Sequence, residues 1–253
     1  MTNSTQINQL WRPEDVDFLF RSYQIFEQKL VEILRVLPLT TENEKSWSSE
    51  LVNLFLDICG LIDSISRHTV GQGKNQNDSV QVKNAEGETI SKEIHWLNMT
   101  DFKINFLSAD NITDARTVIY VYPLKIILPY ENYQTSDGWW NIYNSLKHDR
   151  IANYKKADLS NTLRALAAVF LILVRYKNDE FTKALLRYGM LETDYVPEAV
   201  HEARLTEPYH FWYDSNLFGT PEEFNNIPSD DVSQINHLRA SRKLRIYIGR
   251  FNP

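Results

Sequence analysis

The segment ALAAVFLILV, residues 165–174, limits what this chain can fold into more than any other. It is apolar around its full circumference at helical spacing, and a helix of that kind must be covered on every side. At ten residues it is shorter than the roughly 20 needed to cross a hydrocarbon layer. The remaining solution is a central helix surrounded by other helices. Asp158 or Ser160 supplies an N-terminal cap, and NTLRALAAVFLILVRY follows.

The partners for that helix are legible upstream. Pro13 suits a first helical turn, and Val16, Leu19, Phe20, Tyr23, Phe26, Leu30, Ile33, Leu34 and Leu37 recur at three-four spacing until Pro38. Leu51, Leu54, Phe55, Ile58, Leu61, Ile62 and Ile65 repeat the pattern after the short polar connector LTTENEKSWSS. Two helices so joined form an antiparallel pair. Asp63 and Arg67 lie one turn apart and can pair at the surface. A further helix is expected over DEFTKALLRYG, ending at Gly189.

Other segments interrupt the helical pattern. GQGKNQNDSVQVKNAEGETISKE, 71–93, has three glycines and few large apolar residues, and reads as a mobile loop with a weak hairpin at SVQV and ETIS. Its GQGK lacks the GxxxxGK[ST] spacing of a phosphate loop. TVIYVYPLKIILPY, 117–130, reads as two short strands about Pro123. EPYHFWYDSNLF, 207–218, reads either as a loop pinned by Tyr209, Phe211, Trp212 and Phe218 or as a base-stacking platform. KLRIYIGRF alternates like a strand among the basic residues 239–250, either a solvated face or a phosphate-contacting edge. The expected architecture is therefore mostly α. A helical domain spans 1–190 with a loop and hairpin insert at about 70–130, and 191–253 is an irregular C-terminal extension packed on the same domain.

Charge and composition narrow the function. The net charge is −6, so nucleic-acid contact requires a local basic patch. The single cysteine, Cys59, sits in an apolar run and reads as a buried thiol; no intrachain disulfide or cysteine-based zinc site is available. The other histidines, His68, His95, His201, His210 and His237, form no HxxxH or HxxE pair. No cofactor or metal is expected. MTNSTQINQLWRPED lacks the basic and apolar parts of a signal peptide, so no membrane partner and a cytoplasmic location are expected.

The chemistry-bearing stretch is GWWNIYNSLKHDR, from Gly138 to Arg150. On a helix over Trp139 to Asn153, Trp139, Ile142 and Leu146 form an apolar stripe. Trp140, Asn144, Lys147, His148 and Ile151 form a second stripe, with Tyr143 and Arg150 at its edge. An amide, a titratable ring and a fixed cation then converge. Metal-free RNA cleavage needs a base, an acid and a cation on the phosphate, and a histidine beside a lysine supplies parts of that set. The plainer alternative is that Asn144 and His148 satisfy buried groups.

YNSLKHDR, preceded by WW and followed by NTLRALAAVFLIL, resembles the HEPN superfamily of bacterial helical domains. The resemblance covers roughly residues 13–70 and 135–190, and implies a HEPN-like helical bundle. HEPN ribonucleases carry an arginine four to six residues before a histidine, often followed by a polar residue. Here His148 matches the histidine and Asn144 the polar residue, while Tyr143, Ile142 and Asn141 occupy the arginine spacings. Lys147 is better placed than Arg150 to stand in. The resemblance implies a non-catalytic member that binds RNA or a partner protein through Asn144, Lys147 and His148. Trp140, Tyr143, Arg150, Lys155 and Lys156 are the surrounding binding residues. It also implies a homodimer through the motif helices and a role in toxin–antitoxin or phage-defence systems. Two alternatives stay open: a metal-independent endoribonuclease using His148, Asn144 and Lys147, and a helical interaction protein unrelated to RNA.

Overall fold

The computed structural model describes residues 10–119, 125–176, 178, 181, 191–193, 211–213, 215 and 217–219. It is mostly helical, with small antiparallel sheets. The long helices are α1 (Pro13–Val36), α2 (Ser49–Val70), α4 (Trp139–His148) and α6 (Leu159–Arg175); α3 (Met99–Phe102) and α5 (Arg150–Asn153) are single turns.

The central position of α6 follows from its sequence. Every residue from Ala165 to Leu173 is buried, and the helix packs against α2, α1 and α4. Each large side chain so enclosed stabilises the fold by about 1.5–3 kcal/mol. The Asp158 carboxylate caps the helix by accepting from the Asn161 amide at 2.9 Å, and it also receives Lys45 Nζ at 3.2 Å. Ser48 caps α2 in the same way, its hydroxyl accepting from the Leu51 amide at 3.1 Å. Cys59 is buried, and burial pushes its thiol well above the usual range. Arg67 bonds Asp63 at 3.1 Å, as the one-turn spacing predicts.

The 71–93 segment departs from the expectation of a mobile loop. It folds as a hairpin, β1 (Ser79–Lys83) and β2 (Thr89–Glu93), in antiparallel register with Val80 opposite Lys92 and Val82 opposite Ile90. Val80 and Val82 are each 2% exposed, so the short alternating face is sealed onto the core. The turn is fastened by the Asn84 side-chain oxygen, which accepts from the amides of Glu86 and Glu88, and Gly87 takes the left-handed φ of 83° that the turn requires. Asn105 then bonds both amide and carbonyl of Lys83, tying the hairpin to the π-helical turn Lys103–Leu107.

Strands β3 (Thr117–Ile119) and β4 (Lys125–Ile127) pair antiparallel, as the pattern around Pro123 predicts. β7 (Phe218–Gly219) adds to the free edge of β3, so the C-terminal extension is stitched into the middle of the chain. Phe218 is buried, with its ring 5.7 Å from that of Phe170 on α6. A buried carboxylate completes the docking: Glu27 on α1 accepts from the Tyr23 hydroxyl, the Ser215 hydroxyl and the Leu217 amide. β5 (Leu191–Thr193) pairs with β6 (Phe211–Tyr213), which contains Phe211 and Trp212 of the aromatic segment. Apart from Phe181, the expected helix ending at Gly189 lies outside the described residues, as do Tyr209 and the basic residues 239–250. Among the described residues no single helix is long and apolar enough to cross a membrane.

Candidate functional site

The residue before helix α4, Gly138, is a glycine because the chain there passes too close to a preceding turn for any side chain. A Cβ at Gly138 would strike the backbone of Asn132 and Tyr133. Two turns of helix then present opposed faces. Trp139, Ile142 and Leu146 are 1–3% exposed, the apolar stripe that the spacing predicts. Trp139 Nε1 donates to the Pro129 carbonyl at 2.8 Å, and its ring meets Tyr130, Tyr133 and Trp140.

The second stripe divides. Trp140 and Tyr143 are 7% and 6% exposed, so neither belongs to a binding surface. Their rings lie 5.2 Å apart, and the Tyr143 hydroxyl reaches the neighbourhood of Gly60 on α2. Two large rings beside the Trp139 stripe widen the buried face of α4 at the expense of the polar one. Burial, and then the nearby Asp63 charge, push the Tyr143 phenol well above its ordinary range, so it stays protonated. By contrast Lys147 and His148 are exposed and Asn144 is half-buried. The Lys147 ammonium sits 4.9 Å from the Tyr143 ring centroid and 3.9 Å from Asp63, whose carboxylate is already bonded by Arg67. Packing does not account for His148: an exposed imidazole in the last turn of α4 satisfies no buried group.

The expected continuous helix to Asn153 does not form. Asp149 leaves the helical region at φ −144°, ψ 90°, and its carboxylate caps α5 by accepting from the Ala152 amide at 3.0 Å. Arg150 accordingly opens α5, and its guanidinium donates to Asn53 on α2. Lys155 and Lys156 follow on a 3-10 turn, Tyr154–Lys156, and both are exposed. Between residues 147 and 156 stand four lysine or arginine side chains and one carboxylate, on a chain whose net charge is −6.

The break at Asp149 also creates a groove of about 320 Å³ that the sequence did not disclose. It is lined by Trp47, Ser49, Val52 and Asn53 of the α1–α2 connector and α2, and by Arg150, Ile151 and Tyr154. Trp47 and Tyr154 meet edge to face at 4.6 Å, and Lys155 Nζ stands 5.9 Å from the one ring and 6.0 Å from the other. The one available signal was a tryptophan alone in a polar connector. The exposed basic residues of this stretch thus fall in two groups close in sequence, Lys147 and His148 at the end of α4 and Lys155 and Lys156 beside the Trp47–Tyr154 pair. The stretch lacks an arginine partnering His148: among the described residues Arg67 is held by Asp63 and the Ile94 carbonyl, and Arg150 by Asn53.

Among the described residues no group of three or more His, Cys, Asp or Glu side chains could hold a metal ion. His68 Nε2 donates to the Leu10 carbonyl, 2.8 Å away, with its ring 4.5 Å from that of Trp11. The chain matches no protein-family model, and no curated protein or solved structure is significantly similar to it.

Proposed function

We propose that this chain is a HEPN-like, non-cleaving RNA-binding protein whose binding surface is the ledge formed by the last turn of α4, α5 and the following 3-10 turn. The observation that carries the reading is the exposure of Lys147 and His148 beside a half-buried Asn144, on a helix whose other face is core. Lys147, Arg150, Lys155 and Lys156 supply the phosphate contacts that a polyanion needs on an otherwise acidic protein. Binding without cleavage follows from the missing cation. Cleavage requires fixed positive charge where the phosphorane charge develops, and Tyr143, Ile142 and Asn141 stand at the spacings where the family carries its arginine.

The resemblance also implies that two copies pair through α4. A stable interface needs about 800 Å² per partner with an apolar centre. The accessible strip of α4 is Asn141, Asn144, Ser145, Lys147 and His148, which has no apolar member. RNA is the better match for it.

The test is fluorescence anisotropy with a labelled single-stranded RNA in EDTA, followed by a gel of the same sample. Binding with intact RNA, weakened about tenfold or more in Lys147→Ala/His148→Ala, is expected. The variant should unfold within about 0.5 kcal/mol of the parent because both side chains are exposed. Cleavage that disappears in His148→Ala would replace this reading with a ribonuclease. Equal binding by the double variant would remove the cluster from the site.

A further inference from the structure

From the groove beside α5 we infer that the protein takes single-stranded RNA and inserts one unpaired base between Trp47 and Ile151; this rests on the RNA-binding reading above. The groove has two open apolar walls. Trp47 retains 43% of its surface and Ile151 retains 87%, although each lies in a segment anchored at the core by Val52 and Leu159. An open indole in a cleft that a second open apolar side chain also lines offers a flat ring a place to stack.

Size and charge fix the occupant further. About 320 Å³ is near the lower limit of small-molecule sites, which run from roughly 300 to 1,000 Å³. It is the size of one planar group. The rim carries the donors that a nucleotide's sugar and phosphate require: Ser49, the Asn53 amide, the Arg150 guanidinium and, over the aromatic pair, the Lys155 ammonium. Tyr154 packs against the indole in a T-shaped pair, and a ring held in this way needs little reordering when a base arrives. A duplex keeps its bases stacked inside and presents only backbone, so it can use the cations but not the slot.

The experiment uses the full chain with a short RNA carrying one 2-aminopurine, whose fluorescence falls on stacking, and with the same strand annealed to its complement. The single strand should bind at least tenfold more tightly than the duplex, with quenching. Trp47→Ala should weaken single-strand binding by about five- to a hundredfold and abolish the quenching. Trp47→Phe should retain most of both. Ile151→Glu, at a position too exposed to affect folding, should act like Trp47→Ala. If single strand and duplex bind equally and neither Trp47→Ala nor Ile151→Glu matters, while Lys147→Ala/His148→Ala still weakens binding, the base slot is wrong and the ledge stands. If no RNA binds at all, both fall.

Discussion

Glu27 ties α1 to the C-terminal extension. It lies on α1 at 1% exposure and accepts from Tyr23 Oη at 2.8 Å, Ser215 Oγ at 2.5 Å and the Leu217 amide at 3.0 Å. Glu27→Ala removes that acceptor. The Tyr23 and Ser215 hydroxyls are 2.8 Å apart, so one re-pairs with the other. The Leu217 amide loses its acceptor. A buried donor without a partner costs about 1–3 kcal/mol, so the substitution should cost at least about that much. That is a sizeable part of a typical folding free energy of about 5–15 kcal/mol. Glu27→Gln keeps a side-chain oxygen at the same place and should cost less than Glu27→Ala. Urea unfolding followed by circular dichroism gives these values. Hydrogen exchange adds a local readout, because the Phe218 amide donates to Ser215 Oγ at 2.9 Å and should lose protection with it. A loss under about 1 kcal/mol in Glu27→Ala, with Phe218 still protected, would show that the extension does not depend on this carboxylate.

Three further substitutions address other parts of the account. Gly138→Ala drives a methyl into the backbone of Asn132 and Tyr133; a loss of about 1–3 kcal/mol or more is expected in thermal or urea unfolding, together with loss of RNA binding, since α4 carries the site. Trp139→Phe strands the Pro129 carbonyl in the core and should cost about 1–3 kcal/mol by the same assay, with RNA binding retained. Asp158 is pushed above the usual carboxylate range by its burial, against the pull of the Asn161 amide and Lys45. The folded state therefore holds its proton to higher pH than the unfolded chain. Stability falls as pH rises from the ordinary value of about 3.9 through the raised one. Relative to Asp158→Asn, the parent should be best placed at the acid end of that window and lose ground above it, as measured by urea midpoints across pH.

The helices were readable because burial repeats at a fixed period. From Pro13 the apolar spacing of α1 ran to Leu37, and the helix ends at Val36. The same logic placed Trp139, Ile142 and Leu146 in the core. It failed for Trp140 and Tyr143, because a wheel gives the direction of a side chain but not how wide the covering layer is. Two rings from 139 and 140, met by Tyr130 and Tyr133, fill a sector that spacing alone leaves open. The hairpin at 79–93 was underrated for a related reason: two valines make a weak pattern, and the stabilising contact, Asn105 to Lys83, comes from 22 residues away. Glu27 and Trp47 were hidden in the same way. One looked like an ordinary charge on a helix and the other like a stray ring in a polar connector, until residues 188 and 107 positions distant supplied their partners.

The salt dependence of RNA affinity bears most directly on the ledge. For a single strand, each phosphate neutralised contributes about −0.7 to the slope of log K against log salt. Four cations at Lys147, Arg150, Lys155 and Lys156 should give a slope of about −2 to −3, reduced by about 0.7 for each one replaced by alanine. A slope near zero, or one unchanged in Lys155→Ala/Lys156→Ala, would contradict the account.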